Sequence, residues 1–107
     1  MLNQATTLPL RDPSLLRQAC CVDGRWIEAD DGATLTVRNP ATAEPIGTVP
    51  ALGAAETRRA IEAAARALPA WRRMLAKDRA AILRRLFALM IENTDDLAAI
   101  MTAEQGK

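Results

Sequence analysis

The first half of the chain has the short-range alternation of β-strands. Runs of β-branched and apolar residues at 34–38 and 46–49 are separated by turn residues, a pattern typical of strands in a small antiparallel sheet. Before them, Asp23 and Gly24 stand between residues that favour strands. Asp-Gly readily adopts the positive φ angles of a two-residue turn, so the segment 20–27 is predicted to be a β-hairpin.

From Ala54 onward the pattern changes to the three-to-four-residue spacing of amphipathic helices. One helix is predicted from Ala54 to Leu68, interrupted at Pro69, and a second from 77 to 92. The residues 93–96 are predicted to end this helix and to supply the N-cap of a third, which runs toward a cap at Gly106. The predicted fold class is therefore an α+β segment, with short antiparallel strands over 20–50 followed by three helices over 54–105.

The second predicted helix is apolar over most of its circumference, whereas a surface helix usually shows a stripe a little over 100° wide. Each large apolar side chain left in water would forgo about 1.5–3 kcal/mol. That loss is large beside the ~5–15 kcal/mol stability of a typical domain. We therefore expect the chain to be part of a larger fold or an obligate oligomer. The apolar residues are Ile82, Leu83, Leu86, Phe87, Leu89, Met90 and Ile91.

Composition narrows the possible functions. The chain has 107 residues, a net charge of +1 and no histidine. This size suits one small domain, and the balanced charge does not suit a polycation that binds nucleic acid. The missing histidine removes the usual general base and zinc ligand, which argues against a self-contained hydrolase or metalloenzyme. No apolar run predicts a membrane span or a signal peptide, so we expect a cytoplasmic protein without membrane contact.

Cys20 and Cys21 are the candidate nucleophiles. A catalytic cysteine needs a lowered pKa, usually from a nearby histidine or a helix N-terminus, and this pair lies beside a predicted strand instead. Two adjacent sulfurs without further ligands do not make a tetrahedral metal site. We interpret both cysteines as strand-edge side chains in a reducing compartment.

The arginines and the glycines are the other candidates for ligand binding. Acidic residues are interleaved with the arginines, and pairs such as Glu62 and Arg66 are spaced for helical ion pairs, so a solvated or inter-domain face is favoured over a nucleic-acid site. No glycine belongs to a dinucleotide-binding or phosphate-binding loop motif, and turns and caps account for them. Lys107 is expected to be frayed. The arginines are at 58, 59, 66, 72, 73, 79, 84 and 85, and the glycines at 24, 32, 47, 53 and 106.

Several motifs in order resemble those of one enzyme family. They are Val22-Asp23-Gly24-Arg25-Trp26, Val37-Arg38-Asn39-Pro40-Ala41-Thr42, Ile46-Gly47-Thr48-Val49-Pro50, the segment 55–64, Ala67-Leu68-Pro69-Ala70-Trp71-Arg72, Asp95-Asp96-Leu97-Ala98 and the segment 101–107. From Leu16 to Lys107 the chain resembles the N-terminal segment of the aldehyde dehydrogenase superfamily. Within it, the chain is most similar to NAD(P)-dependent succinate-semialdehyde dehydrogenases, with glutarate-semialdehyde dehydrogenases as the alternative.

The resemblance implies an α/β aldehyde dehydrogenase fold that binds NAD or NADP, oxidises the aldehyde through a cysteine thiolate and forms homo-oligomers. The family's nucleotide-binding and catalytic motifs lie beyond this segment. No residue here is therefore assigned a catalytic, cofactor-binding or metal-binding role, no cofactor is expected for this chain alone, and the isolated chain is expected to be inactive. The implied organisation is a flexible arm over 1–13 and a truncated dehydrogenase segment over 14–107.

A different class of function is left open by the same features. The chain could be a non-catalytic helical interaction module that docks on a separately encoded partner, such as the remainder of a split dehydrogenase, or that associates with itself through the helix at 82–91. No nucleic-acid partner is expected.

Overall fold

The computed structural model describes residues 8–106. Four short strands precede three helices, as the sequence pattern predicted, and a single 3-10 turn at Pro13–Leu15 precedes the strands. The strands are β1 (Cys20–Val22), β2 (Arg25–Ile27), β3 (Thr34–Arg38) and β4 (Pro45–Pro50), and the helices are α1 (Ala54–Arg73), α2 (Ala76–Glu92) and α3 (Thr94–Gln105).

The strands form two separate antiparallel hairpins rather than one sheet. In the first, β1 pairs with β2 so that Cys20 lies opposite Ile27. Asp23 and Gly24 have φ angles of 54° and 72°, the two successive positive values that a tight turn of this hand requires. The hairpin predicted from Asp-Gly is therefore confirmed.

The second hairpin pairs β3 with β4 and contains a register shift between Val37 and Arg38. Its turn is held by the side chain of Asn39, whose Oδ1 accepts a hydrogen bond from the backbone N–H of Ala41 at 2.8 Å. Asparagine favours such turns because its short side chain can replace a backbone acceptor two residues on.

Helix α1 continues through Pro69 to Arg73, so the predicted interruption at Pro69 is wrong. A proline inside a helix removes one backbone hydrogen bond and crowds the preceding turn. The helix nevertheless continues for one further turn, until Met74 adopts an extended conformation. The boundary at Asn93 and the left-handed cap at Gly106, with φ 75°, are as predicted.

Two buried carboxylates tie the helices to the loops. Glu56, in the first turn of α1, accepts hydrogen bonds from the backbone N–H groups of Asp30 at 3.1 Å and Gly53 at 3.2 Å. Asp96, in the first turn of α3, accepts from the N–H groups of Arg11 at 2.8 Å and Asp12 at 2.9 Å. Asp96 therefore satisfies two backbone donors from a distant part of the chain, and Glu56 satisfies one distant donor, Asp30, and one local donor, Gly53.

Part of the segment predicted to be a flexible arm is thus hydrogen bonded, at Arg11 and Asp12. Residues 1–7 lie outside the described residues, and flexibility there stays a prediction. A further contact joins the segment after the 3-10 turn to β4, because Oε1 of Gln18 accepts from the N–H of Thr48 at 2.9 Å.

The core of the described chain is small. Its buried apolar residues are Ala29, Ile46, Ala63 and Ala103, and no large side chain between residues 8 and 106 is fully buried. Three of these four are alanines, which bury little surface. The segment therefore lacks the interior that a domain of this length usually forms.

Candidate functional site: the apolar arc of α2

Helix α2 contributes no buried residue to the described fold. All its large apolar side chains from Ile82 onward are exposed, with exposed fractions from 38% at Leu89 to 64% at Phe87. At about 3.6 residues per turn they cover roughly 200° of the helix circumference. We call this surface the apolar arc; its members are Ile82, Leu83, Leu86, Phe87, Leu89, Met90 and Ile91.

The rest of the helix circumference is polar or small, at Arg84, Arg85, Ala88 and Glu92. Apolar side chains elsewhere are exposed as well. They include Ile61, Leu68 and Trp71 on α1 and Leu75 between the helices, with 37–65% of their surface exposed. Exposed apolar surface on this scale marks an interaction site rather than an ordinary solvated surface.

Arg79 lies about one helical turn before the apolar arc, in line with the centre of the arc. The helical spacing from Arg79 to Leu83, Leu86 and Met90 is four, three and four residues, which places all four on one stripe. The side chain is half-buried, and its Nε atom is shielded from solvent without a hydrogen-bond partner among the described residues. Leaving a buried donor unsatisfied costs roughly 1–3 kcal/mol.

The two cysteines are on β1, where alternate side chains leave opposite faces of the hairpin. Cys20 is half-buried and Cys21 is exposed, and both are free thiols. Neither is at a helix N-terminus, the position that would favour a thiolate. The interpretation of both as strand residues agrees with this placement.

A groove of about 590 Å³ lies between the first hairpin and α1. On its wall Arg59 forms an ion pair with Asp30 at 2.7 Å, and this hydrogen bond raises the pKa of Arg59. Arg66 lies 3.8 Å from Asp23 in a second, longer pair. Acidic and basic side chains alternate around the groove, so it does not concentrate positive charge as a phosphate site does.

Comparison with known proteins identifies the fold. The sequence model of the aldehyde dehydrogenase family matches residues 26–107. This chain belongs to the aldehyde dehydrogenase family. Because the match includes the last two residues of β2, both strands of the second hairpin and all three helices, it accounts for most of the described structure.

Relatives within the aldehyde dehydrogenase family include a glutarate-semialdehyde dehydrogenase of Pseudomonas aeruginosa, 64% identical over 94% of this chain. A succinate-semialdehyde dehydrogenase of Escherichia coli, whose name gives NADP(+), is 53% identical over the same share. A crystal structure of an Escherichia coli NADP-dependent enzyme superposes with a TM-score of 0.90 and 54% identity over 92% of this chain. The chain spans about a fifth of the length of these relatives, 21% in each case.

The α/β dehydrogenase fold expected from the resemblance is confirmed by this superposition. The chain's hairpins and helices are thus a segment of an aldehyde dehydrogenase fold, and they keep the arrangement found in the longer chain. The apolar arc is exposed on this segment when it is considered by itself.

The remaining candidates from the sequence are dispersed in this aldehyde dehydrogenase segment. Gly24 and Gly32 have positive φ angles at turns, Gly53 precedes α1, and Gly47 faces Gln18. Between residues 8 and 106 no three potential metal-ligating side chains cluster, and no helix is long and apolar enough to cross a membrane. Lys107 lies outside the described residues.

Sequence reasoning missed the tertiary roles of Glu56, Asp96 and Arg79. The two acids were recognisable as favourable first-turn residues, but Asp30, which donates to Glu56, and the backbone partners of Asp96 are distant in the chain. From the sequence alone, Arg79 is placed on the same solvated or inter-domain face as the other arginines, although its spacing to Leu83 and Leu86 places it on the apolar stripe.

Proposed function

We propose that this chain is the N-terminal segment, residues 14–107 with an arm before them, of an NAD(P)-dependent dehydrogenase that oxidises the semialdehyde of a dicarboxylic acid. Its own contribution is structural: two hairpins and three helices pack against the rest of the enzyme. The chain alone carries no catalytic or cofactor-binding residue and has no activity by itself. The whole enzyme is a cytoplasmic homo-oligomer, and the free cysteines suit a reducing compartment.

The single observation that carries this proposal is the exposed apolar arc on a segment that superposes on a dehydrogenase with a TM-score of 0.90. A helix that is apolar over roughly 200° is stable when it is covered on two sides. Among the described residues no side chain of α2 is buried, and every member of the apolar arc is exposed.

Succinate semialdehyde and glutarate semialdehyde are the two proposed substrates. Glutarate-semialdehyde dehydrogenases of Pseudomonas aeruginosa and Pseudomonas putida are 64% and 62% identical to the chain, against 53% for the Escherichia coli succinate-semialdehyde enzyme. These identities give glutarate semialdehyde the greater support. The proposed hydride acceptor of the whole enzyme is NAD or NADP.

A chimeric enzyme tests this proposal. The chain replaces the matching 100 residues of the Pseudomonas aeruginosa glutarate-semialdehyde dehydrogenase, and reduced nucleotide is followed by absorbance with each semialdehyde and with NAD or NADP. We expect turnover within about tenfold of the parent enzyme, or ~1.4 kcal/mol in barrier. The isolated chain should give none. A chimera that folds but turns over neither semialdehyde would contradict the proposal.

The second candidate function is that of a non-catalytic interaction module, and the same apolar arc favours it. This function predicts that the chain forms a defined oligomer or binds a partner unrelated to dehydrogenases. Sedimentation of the isolated chain distinguishes the two, because a module that self-associates forms one discrete oligomer through α2.

A further inference from the structure

We infer that the side chain of Gln18 closes the free edge of β4, and that this edge would otherwise pair with β4 of a second copy of the chain. The edge is separate from the apolar arc of α2, and its closure does not depend on the proposed function. Three features support the closure: the direction of the backbone groups along β4, the position of the Gln18 amide, and the absence of a side chain at Gly47.

The first feature is the alternation of backbone hydrogen bonds in the second hairpin. Just beyond the two strands, the N–H of Ala51 donates to the carbonyl of Ala33 at 2.8 Å. In an antiparallel pair, residues whose N–H and C=O groups point at the partner strand alternate with residues whose groups point away. Along the register of β4, the backbone groups of Pro50 and Thr48 therefore point away from β3. Pro50 has no N–H, so Thr48 carries the outward donor at this end of the strand.

An outward edge of this kind is a template for another strand. Among the described residues β4 pairs with β3 alone, in a two-stranded sheet. The N–H and the C=O of Thr48 point to the same side, so a two-fold axis at this residue would place each N–H opposite the carbonyl of Thr48 in the other copy. The strand that fits this edge is therefore β4 of a second copy, in antiparallel orientation.

The second feature is the amide of Gln18, which occupies this edge. Its Oε1 accepts a hydrogen bond from the N–H of Thr48 at 2.9 Å and lies 3.5 Å from the hydroxyl of the same residue. Both residues are half-buried. The amide oxygen thus takes the position that the carbonyl of an added strand would take. Because a side chain and not a strand fills this position, the sheet ends at β4 and the two hairpins stay separate.

The third feature is the glycine beside Thr48. A Cβ atom at Gly47 would lie 2.9 Å from Oε1 and 3.3 Å from Cδ of Gln18, so any side chain there would push the amide away from the edge. Gly47 does not have a positive φ angle, and its backbone conformation therefore does not require glycine. The close approach of Gln18 is what this position accommodates.

The test uses the 107-residue chain and follows single backbone amides by hydrogen exchange, with sedimentation over a range of concentrations. Gln18→Met keeps the length of the side chain and removes its acceptor. Gln18→Glu keeps an acceptor oxygen. Gln105→Met is the matched control, because it adds the same methionine at an exposed position on α3.

We expect Gln18→Met to accelerate the exchange of the Thr48 amide by roughly tenfold at low concentration, the factor that one net hydrogen bond contributes. The amide of Val49, which points at β3, should keep its rate. As the concentration rises, the Gln18→Met chain should form a dimer in which Thr48 is protected again. Gln18→Glu and Gln105→Met should behave as the unsubstituted chain does.

Gly47→Ala provides a second way to open the edge, because it leaves Gln18 in the chain and displaces its amide. It should reproduce the fast exchange and the dimer of Gln18→Met. Gly53→Ala is its control, since a Cβ at Gly53 would meet only Oε1 of Glu56, at an ordinary 3.6 Å.

Four outcomes would overturn the inference. Unchanged exchange of Thr48 in Gln18→Met would show that the amide does not protect this edge. Equal acceleration of Thr48 and Val49 would show that Gln18 holds the hairpin together instead of closing its edge. A Gln18→Met chain that stays monomeric at every concentration would remove the second copy as the occupant. A dimer that Gln105→Met forms equally well would assign the association to another surface, such as the apolar arc.

Discussion

Gly106 shows how one residue can join two distant elements. It ends α3 with a φ of 75°, and a Cβ atom there would lie 2.9 Å from Cγ of Pro40 and 3.0 Å from the backbone nitrogen of Ala41. Both the backbone conformation and the close approach therefore require glycine. The turn of the second hairpin and the end of the last helix therefore lie against each other at this point.

We predict that Gly106→Ala destabilises the chimera more than Gly24→Ala does. Gly24 has a similar φ of 72°, but a Cβ there would meet nothing within 4 Å, so its substitution measures only the conformational cost of about 1–2 kcal/mol. Gly106→Ala adds the clash with Pro40 and Ala41 to that cost. Thermal unfolding of both variants measures the difference, and equal melting temperatures would contradict the close approach.

Asp96 provides a second prediction at this scale. Asp96→Asn leaves one oxygen acceptor for two backbone donors, so one of the amides of Arg11 and Asp12 loses its partner, at about 1–3 kcal/mol. Asp95→Asn is the matched control, because it removes the same charge from the same helix turn at an exposed position. Hydrogen exchange of the chimera should accelerate over residues 8–15 in the first variant alone. Equal acceleration in both would attribute the effect to the helix dipole.

The pKa of Asp12 is lowered, chiefly by the hydrogen bond from the hydroxyl of Ser14 and then by the backbone N–H of the same residue. A lowered pKa means that this local cap is fully formed above the ordinary value of 3.8 and is lost as the pH falls through the lowered value. We predict that Ser14→Ala raises the pKa of Asp12 in an NMR titration. An unchanged titration would show that the hydroxyl does not contribute.

At the scale of elements, the strands and the helices differ in how far their sequences determine them. Asp23-Gly24 carries turn chemistry that acts over two residues, so the first hairpin was predictable. For the second hairpin the sequence predicted both strands and the end of the first at Asn39, and the structure added their pairing. The end of helix α1 was harder to predict from the sequence. Pro69 favours a helix end, whereas the helix-forming residues on both sides of it favour continuation. The proline by itself does not show which of these two effects is larger.

We predict that Pro69→Ala stabilises the chimera. The change restores an N–H donor in the last turns of α1 and removes the crowding of the preceding turn, and proline in a helix interior costs up to about 3 kcal/mol relative to alanine. Pro9→Ala, at an exposed position before the first element, is the control and should have little effect. A lower melting temperature for Pro69→Ala would mean that a bend at this position is needed for packing.

At the scale of the whole molecule, the main feature is the large amount of apolar surface that is exposed. Between residues 8 and 106, four small or medium apolar residues are buried, whereas fourteen large ones are exposed. Burial of apolar surface is the dominant favourable contribution to folding, and here most of it requires surfaces outside residues 8–106.

We predict that the isolated chain unfolds over a broad temperature range with low cooperativity, whereas the chimera unfolds sharply. The buried apolar residues between 8 and 106 are three alanines and one isoleucine, and α2 has no buried side chain to link its unfolding to that of the hairpins. Circular dichroism at 222 nm measures both transitions, with the parent dehydrogenase as the reference. A sharp two-state transition of the monomeric chain would contradict this account of its core.

The sequence by itself determined the order and type of the elements, the hairpin turn at Asp23-Gly24, the helix boundary at 93–96, the cap at Gly106, and the family to which the chain belongs. It also indicated that α2 needs cover, because periodicity records how much of a helix is apolar. The continuation of α1 through Pro69, the distant partners of Glu56 and Asp96, and the unsatisfied donor of Arg79 were decided by the tertiary structure. These depend on contacts between residues far apart in the chain, and local propensity and spacing carry no information about such contacts.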